Sequence, residues 1–120
     1  MSVVTPEQVE RRLKELSKLI DEAHDQLVDS EANYHRNKAE YELAMAKSSI
    51  GLASKSSPTG KNYTVGERDD NALLDNANEH TELAYAEASV KASKENAKRI
   101  QLQVDIARSV AALIRSEMHQ

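Results

Sequence analysis

The residues whose types and spacing suit a binding chemistry are basic side chains and one tyrosine near the middle of the chain. Lys47, Lys55 and Lys61 precede Tyr63 within one short stretch. A single-stranded nucleic-acid site needs cations that follow the phosphate backbone and flat rings on which bases stack. These four residues are therefore candidates for contacts to single-stranded DNA.

A second interpretation assigns the same lysines to charge balance between two helices. Residues 1–34 carry 8 acids and 4 bases, and residues 35–61 carry 2 acids and 5 bases. Residues 62–90 carry 7 acids and 1 base, whereas residues 91–120, with Lys91, Lys94 and Lys98 at helical spacing, carry 3 acids and 6 bases. Folding the chain at Pro58 places each quarter beside one of opposite sign, which favours antiparallel pairing without any ligand.

Catalysis and metal binding have little support in the sequence. The chain has no cysteine, and its four histidines, His24, His35, His80 and His119, form no His-x-x-x-His pair. It contains neither a Gly-x-Ser-x-Gly nucleophile elbow nor a glycine-rich phosphate loop. We therefore expect no enzyme activity, no metal site and no cofactor.

Two long helix-forming segments must position these residues. Residues 54–63 separate the two segments. They are rich in serine and lysine and contain one proline and one glycine, a composition typical of a turn. Thr5 and Thr64 each begin a capping box that starts a helix. The sequence predicts a single domain over 1–120, an all-α antiparallel two-helix hairpin with a helix at 6–53, a turn at 54–63 and a helix at 64–118.

Apolar residues recur in steps of three and four along both predicted helices, which indicates a coiled-coil-like contact. In the first helix the pattern begins with large side chains and later takes small and polar ones. Its positions are Val9, Leu13, Leu16, Ile20, Ala23, Leu27, Ser30, Tyr34, Asn37, Tyr41, Ala44, Ser48 and Gly51. In the second helix they are Ala72, Asn76, Glu79, Leu83, Ala86, Val90, Ser93, Ala97, Ile100, Val104, Ala107, Ala111, Ile114 and Met118. Because the stretches 69–71 and 75–78 contain weak helix formers, a kink is expected there.

A second apolar row flanks the main pattern near the carboxy terminus, at Leu102, Ile106, Val110 and Leu113. One partner helix cannot cover both rows. A hairpin of 120 residues without Phe or Trp also buries little surface by itself. We therefore expect a homo-oligomer whose interface uses this row.

No amino-terminal signal peptide and no apolar run of about 20 residues is visible, so a cytoplasmic protein without membrane contact is expected. The formal net charge of −4 argues against generic binding to nucleic acid, although it leaves a local basic site open.

Several segments together resemble the small helical phage proteins grouped with UvsY-type recombination mediators. They are Tyr41-Glu42-Leu43-Ala44-Met45-Ala46-Lys47, the Ser/Lys loop, Thr64-Val65-Gly66-Glu67-Arg68, Leu83-Ala84-Tyr85-Ala86-Glu87-Ala88 and Val110-Ala111-Ala112-Leu113-Ile114-Arg115. The resemblance spans nearly the whole chain and rests on composition and layout more than on invariant residues.

The resemblance implies a non-enzymatic, oligomeric protein that binds single-stranded DNA. It also implies help in loading a RecA-like recombinase onto strands covered by single-strand binding protein, in the host cytoplasm. The DNA contacts would then be Lys47, Lys55 and Lys61. The alternative is a structural or adaptor coiled coil, for example a phage protein that binds a host factor, without a nucleic-acid role.

Overall fold

The computed structural model describes residues 4–53 and 62–118, which form three helices. Helix α1 is Pro6–Ala53, α2 is Val65–Asp75 and α3 is Ala77–Met118. The predicted all-α class is confirmed, and α1 has the predicted bounds. Most of the predicted turn, residues 54–61, lies outside the described residues. Among the helices that the structure describes, none carries an apolar stretch long enough to cross a membrane.

Helix α1 begins with the reciprocal hydrogen bonds of a capping box. The Gln8 backbone N–H donates to Thr5 Oγ1 at 3.2 Å, and the Thr5 N–H donates to Gln8 Oε1 at 3.0 Å. These bonds satisfy two amide groups, one of which would otherwise lack an intrahelical acceptor. No glycine or proline interrupts the following residues before Gly51, so the helix continues to Ala53.

The segment predicted as one helix over 64–118 is divided at Asn76. Helix α2 starts after Thr64, whose Oγ1 accepts from the Glu67 N–H at 3.1 Å. It ends at Asn76, where φ is −114° and ψ is 29°, values outside the helical range. The Asn76 carbonyl then accepts from the His80 N–H at 2.9 Å and opens α3. Asn76 thus caps both helices, because asparagine competes with the helical backbone for hydrogen bonds.

The chain forms two compact units. Among the described residues, unit 1 contains 4–29 of α1 and 91–118 of α3, and unit 2 contains 30–53 and 62–90.

Unit 1 has an aliphatic core formed by early residues of α1 and late residues of α3. Leu16 is its most completely buried large side chain, with 1% of its surface exposed. The Arg12 guanidinium donates to Gln103 Oε1 at 3.3 Å, and Pro6 lines a groove with Met118, so the two segments run antiparallel. The other buried residues of this core are Val9, Ala23, Ala97 and Val104. The predicted apolar pattern is confirmed here except at Met118, which is exposed.

Unit 2 is a helical hairpin with a smaller and more polar interior. Among the residues of this unit that the structure describes, the buried ones are Ala72, Asn76 and Ala86. The rings of Tyr41 and His80 meet edge to face, with centroids 5.6 Å apart. The predicted change from large to small and polar residues along α1 therefore coincides with a core that buries fewer large side chains.

Candidate interaction surfaces

The apolar row predicted on α3 lies at the surface of unit 1. Leu102, Ile106 and Leu113 expose between 56% and 61% of their surfaces, and Val110 is half-buried. Their spacing of four, four and three residues places them on one side of the helix. A row of aliphatic side chains in water is unfavourable, because each one contributes only when it is buried. The row is therefore a candidate contact surface.

A groove of about 320 Å³ adjoins this row, between α1 and α3 of unit 1. Its lining includes Ile106 and Val110 of the row and the buried side chains Val9 and Leu16. The exposed Arg12 also lines the groove and contacts Gln103 and the Glu15 carboxylate, the latter at 3.3 Å. An apolar surface with a polar edge is the usual composition of a protein interface.

A second groove of about 310 Å³ lies between the same two helical segments. Its apolar lining includes Leu13, Ala111, Ile114 and Met118, and it shares Val9 with the first groove. The described part of unit 1 consists of only two helical segments. Such a thin layer leaves much of its apolar surface in contact with solvent.

Two of the four predicted nucleic-acid contacts can be placed. Lys47 is exposed on α1, and Tyr63 is half-buried just before α2. Lys55 and Lys61 lie outside the described residues. A base needs an open ring face for stacking, so the partial burial of Tyr63 makes this residue a weaker candidate than Lys47.

The second basic group, Lys91, Lys94 and Lys98, is exposed along α3. Lys98 lies 3.6 Å from the Glu95 carboxylate of the same helix. The pairs Arg12–Glu15 and Lys14–Glu10 also join residues of one helix, at 3.3 and 3.8 Å. These contacts are exposed, and such pairs contribute little to stability.

Sequence reasoning missed the role of Asn76. Its side chain is 7% exposed, and its amide donates to Ala72 O at 2.8 Å and to Ser48 Oγ at 2.9 Å. One bond ends α2, and the other reaches the opposite helix of the hairpin. The available signal was a polar residue at a core position of the apolar pattern, a placement that often fixes helix register.

Metal chemistry has no assembled site in the part of the chain that the structure describes. Within residues 4–53 and 62–118, no three or more Asp, Glu or His side chains lie close enough together to hold a metal ion. Structural zinc sites require four protein ligands, and catalytic sites require three.

Comparison with known proteins adds no family assignment. No family model matches the chain, and the searches of curated proteins and of solved structures found no match.

Proposed function

We propose that the protein is a non-enzymatic helical protein that self-associates and acts on single-stranded DNA as a recombination mediator. The observation that carries the self-association is the exposed row Leu102, Ile106 and Leu113 beside an apolar groove of unit 1. Burying each of these side chains against another copy contributes roughly 1–2 kcal/mol, because each is already partly covered. Several such contacts are needed to offset the entropy lost on association.

In this proposal, DNA binding requires several copies of the protein, because each copy contributes only a weak binding site. Lys47 is exposed, and its basic neighbours in the sequence are Lys55 and Lys61. One copy offers few phosphate contacts, but an assembly presents one such set per copy on the same strand. Avidity then raises the overall affinity without any new contact. The resemblance to UvsY-type mediators supports the same role, with a RecA-like recombinase as the protein partner.

A single measurement tests both parts: the mass in solution by light scattering, with and without a single-stranded oligonucleotide. The proposal expects a mass above that of one chain and co-elution of the oligonucleotide at low salt. Ile106→Glu should lower the mass, since a carboxylate in an apolar interface loses its hydration. Val28→Glu is the matched control, because Val28 is also an exposed aliphatic residue of unit 1 but lies outside the row.

Two results would contradict the proposal. A mass of one chain at all concentrations tested would remove the self-association. Failure to bind the oligonucleotide at low salt by the assembled protein would remove the DNA-binding role.

An adaptor role without nucleic acid is the second candidate, and the charge of unit 2 favours it. Its described residues carry Lys47 but also the acidic group Glu67, Asp69, Asp70 and Asp75 on α2. Acidic side chains repel phosphates. Under this candidate the protein assembles but leaves the oligonucleotide free, and the charge reversal of Lys47 leaves its partner binding intact.

A further inference from the structure

Unit 2 carries an exposed apolar patch on α1, on a side of the helix that has more basic than acidic residues. Leu43 and Ile50 expose 56% and 72% of their surfaces, and Lys47 lies between them in the sequence. Spacings of four and three residues place all three on one side of the helix. Arg36, seven residues before Leu43, extends the same side. Glu40, three residues before Leu43, lies on this side as well. We call Arg36, Glu40, Leu43, Lys47 and Ile50 the basic patch.

A second exposed apolar patch lies on α2 of the same unit, with acidic residues around it. Leu74 is 74% exposed, and Leu73 is also exposed, while the neighbouring Ala72 is fully buried in the hairpin. Asp70 is exposed one helical turn before Leu74, and Glu67 is exposed one turn before that. We call Glu67, Asp70, Leu73 and Leu74 the acidic patch.

The two patches have opposite charge balances. On the side of α1 that carries the patch, the charged residues are Arg36, Lys47 and one acid, Glu40, so the basic residues are in excess, whereas Lys38 and Glu42 lie on other sides of the helix. Helix α2 contains one base, Arg68, against Glu67, Asp69, Asp70 and Asp75. Each patch therefore offers aliphatic side chains together with charges that attract the other patch and repel a copy of itself.

We propose that the basic patch of one copy docks on the acidic patch of a second copy. The occupant is this chain itself, because the chain supplies both complementary surfaces. Since two different patches meet, the contact is heterologous, and each bound copy leaves one patch of each kind available. Repetition of such a contact builds a ring or an open chain of copies. This contact is independent of the row on unit 1.

Charge reversal at two positions tests the contact. Lys47→Glu and Asp70→Lys should each weaken association, because each places like charges together. The double variant Lys47→Glu, Asp70→Lys restores an opposite pair and should recover the association. Sedimentation velocity over a range of concentrations, without nucleic acid, measures the effect. We expect each single variant to raise the dissociation constant about threefold to tenfold, with added salt weakening the wild-type contact.

Two controls isolate the patch. Lys38→Glu makes the same charge change at an exposed position nine residues before Lys47, on the other side of α1, and should leave association unchanged. All variants are also measured with Ile106→Glu, so that association through the row of unit 1 does not mask the result. Circular dichroism confirms that each variant is helical.

The outcomes are distinct. Recovery in the double variant supports the heterologous contact. The contact would be overturned if the loss of association free energy in the double variant equals the sum of the losses in the two single variants. Equal weakening by Lys38→Glu, or a mass that does not depend on concentration in the Ile106→Glu background, would overturn it as well.

Discussion

The side-chain amide of Asn76 donates a 2.9 Å hydrogen bond to the hydroxyl oxygen of Ser48 and so links the α2–α3 break to the opposite helix of unit 2. The same amide donates to Ala72 O at 2.8 Å, and Ala44 O and Met45 Sδ lie at 3.5 and 3.9 Å. The described part of unit 2 buries few large side chains, so we expect this buried polar link to fix the register of the two helices there.

Replacing Asn76 should destabilise the protein, because the hydrogen bond that joins the α2–α3 break to α1 in unit 2 is lost. Asn76→Ala removes the amide donor and should lower the free energy of unfolding by about 1–3 kcal/mol. Ser48→Ala, which removes one acceptor, should cost about 1 kcal/mol. Urea unfolding followed by circular dichroism measures both, and a double-mutant cycle gives the coupling between them.

The matched control is Asn78→Ala, because Asn78 is an exposed asparagine two residues further along. It should change the free energy of unfolding by less than about 0.5 kcal/mol. A cycle without coupling energy between Asn76 and Ser48 would show that the hydrogen bond between them does not stabilise the fold.

The sequence was most informative where large apolar residues repeat. Positions such as Val9, Leu16 and Val104 follow the periodicity of a helix face, and all three are buried. The capping boxes also made both helix starts readable, at Thr5 and Thr64.

The break at Asn76 was only partly predictable. Weak helix formers at 75–78 indicated a kink in this region, but several residues there have similar propensities. The break lies at Asn76, whose side chain donates a hydrogen bond to Ser48 on the opposite helix. Local helix propensity does not include such a long-range contact. The exposed patch of Leu43 and Ile50 was not predicted. The main apolar pattern of α1 runs beside these two residues and was sufficient to predict the helix.

Core and surface leucines of unit 1 should respond differently to truncation. Leu16→Ala removes a side chain that is 1% exposed and should cost about 2–5 kcal/mol, because it leaves a cavity. Leu102→Ala, at an exposed position of the row, should cost less than about 0.5 kcal/mol in the isolated chain. Thermal unfolding at low protein concentration compares them.

Measurements of Leu102→Ala at high protein concentration distinguish an effect on assembly from an effect on folding. If the row of unit 1 is an interface, the melting temperature of Leu102→Ala should rise less with protein concentration than that of the wild type, because association stabilises the folded state by mass action. Melting temperatures that rise equally with concentration in Leu102→Ala and in the wild type would place the interface elsewhere.

The cap of α2 should be important because this helix has only 11 residues. The Thr64 hydroxyl accepts from the Glu67 N–H at 3.1 Å and donates to the Glu67 carboxylate at 3.2 Å. Thr64→Ala removes both bonds and should cost about 1 kcal/mol, whereas Thr64→Ser keeps the oxygen and should cost much less. Amide hydrogen exchange at 66–68 measures the fraying; equal exchange in the two variants would mean that the cap does not hold this end.

The salt dependence of DNA binding tests the predicted contacts of Lys47, Lys55 and Lys61. Replacing Lys47, Lys55 and Lys61 with glutamate should lower the affinity for a single-stranded oligonucleotide. It should also reduce the slope of log affinity against log salt by about 2, since each phosphate contact contributes about 0.7. Fluorescence anisotropy measures both quantities. The control replaces Lys14, Lys18 and Lys38, which are exposed lysines elsewhere on α1, and changes the net charge equally. If the two triple variants lose the same affinity and slope, the attraction comes from overall charge, and Lys47, Lys55 and Lys61 have no specific role.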